Sequence, residues 1–223
     1  LKYITAGPLE TPELSVEQAF DEIIHFAQIS KNGAEYAKSA VEENDPTKFE
    51  TLREKLVKYE EISDRIEYEI ATFLNAVSAA EISENTSLKI KSMYKIIGEL
   101  ESLGDSGEAI GRILKRRNAH GKQFDKSILD RLNKMMELVE KGFDAMIDNL
   151  KNEHLSDISN AFNCEYNINE CRNHLREEHI VNIESNSYNY LTGVYYMDVL
   201  SELEKIGDFM INISQAARQK NEY

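Results

Sequence analysis

Carboxylates spaced four apart recur along this chain in positions where they could share a cation. Glu101 and Asp105 form one Glu-x-x-x-Asp pair, and Glu204 and Asp208 form another. A spacing of four puts both side chains on one helix face, a turn apart. Glycine precedes each aspartate, at Gly104 and Gly207, and leaves room for a backbone or a ligand to approach closely. A third pair, Glu60 and Asp64, lies upstream, and the matching stretch of the second half holds Glu165 and Asn169. If the helices that carry these pairs pack antiparallel, the first half gathers four carboxylates, an oxygen-rich set that suits hard or borderline cations. Against this stands the plainer reading of acids four apart as a solvated helix face, in a chain with 40 Asp and Glu.

The elements that must position these groups are helices. Three prolines and ten glycines in 223 residues leave long uninterrupted segments. Ser15-Val16-Glu17-Gln18 has the form of a capping box opening a first helix to about Glu43. Asp45-Pro46 breaks it, and Thr47-Lys48-Phe49-Glu50 forms a second capping box. The next helix carries Leu52, Leu56, Tyr59, Ile62, Ile66, Ile70 and Phe73 at three- and four-residue spacing. A third is expected over about 84–117, stopped by His120-Gly121. Asp125 caps a fourth that fades near Asn149 to Asn152. The fifth is expected over about 155–184 and the sixth over 188–219, started by Asn186 and Ser187. No period-two alternation marks a strand.

The helices also repeat. Gly98-Glu99-Leu100-Glu101-Ser102-Leu103-Gly104-Asp105 aligns with Ser201-Glu202-Leu203-Glu204-Lys205-Ile206-Gly207-Asp208. The apolar residues before it align too, Met93, Ile96 and Ile97 with Tyr196, Val199 and Leu200. The expected architecture is all-α: two tandem three-helix bundles over residues 15–120 and 121–223, joined near the basic segment Lys115-Arg116-Arg117, behind a linker at 1–14.

A net charge of −14 disfavours nucleic acid as a partner, and equally an anionic lipid surface. The longest apolar candidate, Ile70 to Ile82, is short of the ~20 residues a span needs and is interrupted by Asn75, Ser78 and Glu81. Direct insertion of this piece into a membrane is not expected. Cys164 and Cys171 lie two helical turns apart, roughly 10 Å at 1.5 Å per residue, too far for a disulfide. Free thiols fit a reducing compartment. The first residue is Leu1 and no signal peptide precedes it, so the chain is expected to be excised from something longer.

Glu22-Ile23-Ile24-His25 supplies one Glu-x-x-His, where a di-iron carboxylate enzyme needs two. His174 and His179 sit in a charged run and are expected to be solvated. Tyr188, Tyr190, Tyr195 and Tyr196 suit either an interface or a core. No nucleophile elbow, P-loop or Gly-rich dinucleotide loop occurs.

At the carboxylate windows the sequence resembles the PhoU family, whose mark is an acidic residue, three others and Asp on two three-helix bundles. Leu203-Glu204-Lys205-Ile206-Gly207-Asp208 is similar to that family's Leu-Glu-Arg-Ile-Gly-Asp signature. The run from Ile168 to Ile180, then Tyr195-Tyr196-Met197-Asp198-Val199-Leu200, resembles the PhoU-like tails of bacterial sodium/phosphate cotransporters. The lead Leu1-Lys2-Tyr3-Ile4 through Pro12-Glu13-Leu14 resembles the segment leaving the last membrane span in those proteins. The resemblance implies a non-catalytic regulatory domain at the cytoplasmic face of the bacterial inner membrane. Its implied partners are the membrane part of the same transporter and other phosphate-regulatory proteins, and it is compatible with a homo-oligomer. A free-standing phosphate-signalling adaptor is the alternative. Some family members bind iron, zinc or nickel, which implies Glu60, Asp64, Glu101, Asp105, Glu165, Asn169, Glu204 and Asp208 as metal positions. Asn169 departs from the expected Asp, Ser102 stands where the signature has Arg, and Ser106 and Phe209 follow the two aspartates.

Overall fold

Two helices begin at proline. In the computed structural model, which describes residues 1–4, 7–8 and 11–223, α1 spans Pro12–Glu42 and α2 spans Pro46–Ser78. Proline suits the first helical position, where its missing N–H costs nothing and its φ is already helical. This moves both starts upstream of the expected capping boxes. Thr11 rather than Ser15 is the N-cap of α1, and Ser15 is buried inside the helix. Asp45 rather than Thr47 caps α2, accepting the Thr47 and Lys48 N–H groups at 3.0 and 2.9 Å. The expected 1–14 linker thus includes the first helical residues, and Thr5, Ala6, Leu9 and Glu10 lie outside the described residues.

The remaining helices are α3 (Glu84–Ala119), α4 (Lys126–Lys151), α5 (Ser159–Glu184) and α6 (Tyr190–Asn221). Ser83, Asp125 and Asn189 cap α3, α4 and α6 with their side-chain oxygens. Two starts differ from expectation. Leu155 and Ile158 are buried in the turn before α5, and Asp157 takes the Ser159 N–H at 2.8 Å. Asn186 does not open α6. It sits at φ 54°, the left-handed residue just after α5, a conformation asparagine tolerates at a helix end. No strand occurs among the described residues.

Helix α2 packs on α1 and α3, and α5 packs on α4 and α6, so each lies on the outside of its own bundle. The bundles meet along α3 with α6 and along α1 with α4. The sequence repeat becomes a repeat of burial at this centre. Met93, Ile96, Ile97, Leu100 and Leu103 are buried on α3, and Tyr196, Val199, Leu200, Leu203 and Ile206 are buried at the matching positions of α6. Each such side chain contributes about 1.5–3 kcal/mol by leaving water. Helix α5 buries Ala161, Ile168 and Leu175, seven apart, a narrow seam fitting an outer helix. Among the described residues no helix is long and apolar enough to cross a membrane.

Candidate metal centre

Gly104 lets α2 and α3 touch. A Cβ at this position would lie 2.7 Å from Ser63 Oγ, 2.9 Å from Ser63 Cβ and 3.7 Å from the Glu60 Cα. Only a missing side chain permits that approach. It brings Glu60 and Asp64 on α2 to face Asp105, the residue after the glycine. Each of the three offers an oxygen within 4.8 Å of the others, with Glu60 half-buried and Asp64 and Asp105 exposed.

Glu101, a turn earlier on α3, lies outside this trio but within its field. Burial first, then the charges of Asp105, Asp64 and Glu67, raises its carboxyl above the ordinary range, against a lowering hydrogen bond from Ser102. Burial and then Asp64 and Asp105 raise Glu60. Asp105 is raised by burial and Asp64, with Arg112 and a hydrogen bond with Glu101 pulling the other way. Like charges gathered in one place resist ionising together. The nearby cations are engaged elsewhere, Arg53 with Glu50 at 2.5 Å and Arg112 with Glu108 at 2.6 Å. Among the described residues no lysine or arginine forms an ion pair with Glu60, Asp64, Glu101 or Asp105. Hard oxygen donors with raised affinity for protons and no internal counter-ion fit a divalent or trivalent cation.

The second bundle repeats the crossing but not the electrostatics. A Cβ on Gly207 would meet Ile168 Cγ2 at 3.1 Å and Cδ1 at 3.2 Å, so Ile168 stands where the first bundle has Ser63. Asn169 donates its amide to Glu165 Oε1 at 2.5 Å. Arg172 forms an ion pair with Glu204, and Arg176 reaches the same carboxylate at 3.7 Å. Asp208 is exposed. Two guanidinium groups therefore occupy the surroundings of Glu204, and this half does not offer an open carboxylate cluster. Sequence reasoning missed both arginines. Their signal was the spacing Asn169, Arg172, Arg176, one helical face of α5.

Other singled-out residues serve the fold. Glu22 of the lone Glu-x-x-His is wholly buried, and its Oε2 accepts the backbone N–H groups of Lys2, Tyr3 and Ile4 at 2.8, 2.6 and 3.3 Å. His25 meets the edge of Tyr3. His174 is exposed, but His179 is half-buried against expectation, its Nδ1 2.6 Å from Tyr188 Oη. The space is made by Gly193, where a Cβ would lie 2.8 Å from His179 Cε1. Burial holds the His179 ring below the usual histidine range. Tyr195 and Tyr196 are core residues, whereas Tyr190 is 73% exposed. Cys164 and Cys171 are free thiols, both raised by burial. Arg117, read as part of a basic joint, is wholly buried over the Phe124 ring at 4.5 Å and lowered by burial to about 10.

The chain is thus a duplicated all-helical bundle with one open carboxylate cluster. Residues 132–217 match the model of the PhoU domain family. Among solved structures, PhoU from Pseudomonas aeruginosa superposes with a TM-score of 0.81 at 15% identity, covering 93% of this chain and 97% of that one. The phosphate transport system regulatory protein PhoU from Streptococcus pneumoniae gives 0.76 at 16% identity, covering 93% and 95%. A PhoU-like protein from Shewanella oneidensis gives 0.67 at 8% identity, covering 95% and 99%. At such identities the likeness is one of fold. No curated protein matches the sequence.

Proposed function

We propose that this chain is a non-catalytic regulatory module of phosphate uptake whose first bundle holds a metal ion through Glu60, Asp64 and Asp105, with Glu101 beside them. The observation that carries the metal reading is the trio of carboxylate oxygens within 4.8 Å, left without an internal cation. The ion would be iron, zinc or nickel, and it would neutralise the cluster and tie α2 to α3. Support for the regulatory role comes from the PhoU domain match over 132–217 and from the fold shared with a phosphate transport system regulatory protein. Elemental analysis after purification with each metal tests the centre. Less than one ion per two chains in every case defeats it.

The finer reading is a cytoplasmic regulatory domain attached to a sodium-dependent phosphate cotransporter, supported by the lead and the 168–200 region. Deleting the domain from such a transporter should alter sodium-driven phosphate uptake or its response to phosphate supply. Unchanged uptake, affinity and regulation would refute that attachment. A free-standing phosphate-signalling adaptor is favoured by a different observation, since this chain spans nearly the whole of the solved PhoU chains. In that case, supplying the chain alone in trans should restore phosphate-dependent control in cells lacking their own adaptor.

A further inference from the structure

The seam between the two bundles is not filled. A cavity of about 210 Å³ lies where α1 and α3 of the first bundle meet α4 and α6 of the second. Its walls include Ile110, Met136, Val139, Phe143, Leu203 and Ile206, all buried. Against the larger side chains of α4, α1 sets Ala34 and Ala37, and these small residues leave the space open. Among the described residues, no buried polar side-chain atom of the lining lacks a hydrogen-bond partner. The interior therefore has no group in need of water, and its apolar walls forfeit dispersion contacts while it is empty. In another protein a cavity of about 150 Å³ lined by Leu, Ile and Phe stays dry and takes up benzene. The present one is larger.

Charge at the rim restricts what enters. Lys31 and Lys38 stand there on α1, with the two alanines between them in sequence. Lys31 pairs with Asp144 at 2.6 Å and Lys38 with Glu140 at 3.5 Å, and both pairs run from one bundle to the other. Glu35, exposed, adds one more acid to the rim. An anion thus finds both lysines engaged, and a cation finds no acid among the buried walls. Either would lose its hydration without a partner to replace it. An uncharged molecule gives up little water and gains the missing contacts. We infer that the cavity binds one uncharged, apolar molecule of about the size of indole, held between the two bundles. Occupancy stiffens the α1–α4 seam, and it does not depend on the carboxylate centre.

Indole serves as the probe, with benzoate and benzylammonium as charged controls. In the full chain labelled with ¹³C at its methionine methyls, indole should shift the Met136 methyl resonance saturably, with a Kd near or below about 1 mM. Met93 and Met197, which do not line the cavity, should move little. At ten times the measured Kd, indole should raise Tm by about 3–5 °C. The charged controls should bind at least about tenfold more weakly, because neither finds a partner inside. Ala37→Leu fills the cavity and should abolish the Met136 shift, with helicity by circular dichroism checking the fold. Ala34→Leu, at a less buried position, should weaken binding at least about fivefold and decides the matter if the first variant misfolds. Absence of a saturable shift at Met136 overturns the inference, as does a shift that survives both substitutions. Benzoate binding as tightly as indole also overturns it, since Lys38 would then leave Glu140 for the ligand.

Discussion

Arg172 and Glu204 form an ion pair between α5 and α6 at the level where the first bundle sets Glu67 close to Glu101. The two halves share a backbone crossing but carry opposite electrostatics there. In one, acid faces acid, and the like charges help raise the carboxyls of Glu60, Glu101 and Asp105. In the other, the chain supplies its own cation, and Arg176 reinforces it.

Metal should therefore load the first bundle alone, and Asn169→Asp should not by itself create a second centre. A cation about 4 Å from the Arg172 guanidinium would be repelled by ~4 kcal/mol per unit charge at an effective dielectric near 20. One added carboxylate does not offset two such guanidiniums. Asp64→Asn should cut bound metal several-fold, while the combination Asn169→Asp, Arg172→Glu, Arg176→Ala should raise it toward two ions per chain. Elemental analysis of these variants decides. Metal content that ignores Asp64 would reduce the cluster to a solvated face.

Without metal, the cluster should destabilise the fold at neutral pH. Glu60, Glu101 and Asp105 have folded-state pKa values above their ordinary ones. The folded state therefore binds more protons than the unfolded chain, and these groups lower stability as pH rises from the ordinary carboxylate range through their raised values. Asp105→Asn should raise the Tm of metal-free protein at pH 7 by about 1–2 °C, a small shift because solvent screens the exposed Asp105. The gain should vanish near pH 4 and be lost with saturating metal. A lower Tm at pH 7 would contradict the electrostatic account.

The two glycines before the aspartates should differ in tolerance. At Gly104 an added Cβ meets Ser63 Oγ and Cβ at 2.7 and 2.9 Å, and the Ser63 Cβ can move only with the α2 backbone. At Gly207 the nearest atoms are Ile168 methyls at 3.1 and 3.2 Å, ends of a side chain that can yield. Overpacking costs about 1–3 kcal/mol, against ~1 kcal/mol gained in helix propensity from Gly to Ala. Gly104→Ala should thus lose about 1–2 kcal/mol and Gly207→Ala stay near neutral in urea unfolding. Equal costs would mean that the α2–α3 contact is no tighter than the α5–α6 one.

Helices and their duplication were legible because both are periodic. Of the α2 stripe, Leu56, Ile66, Ile70 and Phe73 are buried and Leu52, Tyr59 and Ile62 half-buried, and Leu100 and Leu203 are equivalent core residues. Of the four carboxylates expected together, the structure groups Glu60, Asp64 and Asp105 and leaves Glu101 a turn outside; a turn of helix fixes Glu60 relative to Asp64, but not which of the α3 acids faces them. What depends on which face another element covers was not legible. Arg172 is neutral to any pattern within α5 and acquires its meaning only from Glu204 across the helix pair. His179 looked solvated by its charged neighbours, yet Gly193 on another helix opens a slot for it. Helix starts slipped where a proline at the first position overrode a plausible capping box, at Pro12 and Pro46.

Glu22 should act as the latch for residues 2–4. Its side chain is wholly buried, and the hydrogen bonds it accepts come from three consecutive backbone N–H groups of the lead, reinforced by Gln18 donating to the Tyr3 carbonyl at 2.7 Å. Ile4 packs against the core from the same segment. A buried carboxylate is tolerable only while such donors are in place. The lead, near the surface, can instead give its N–H groups to water once released. The loss should therefore be local rather than global. In Glu22→Leu, amide hydrogen exchange at Tyr3 and Ile4 should accelerate by at least about tenfold, while the α3 and α6 core amides keep their protection. Glu22→Gln retains one acceptor oxygen and should fall between the two. Unchanged exchange at Tyr3 in Glu22→Leu would show that Ile4 packing and Gln18 hold the lead without the carboxylate.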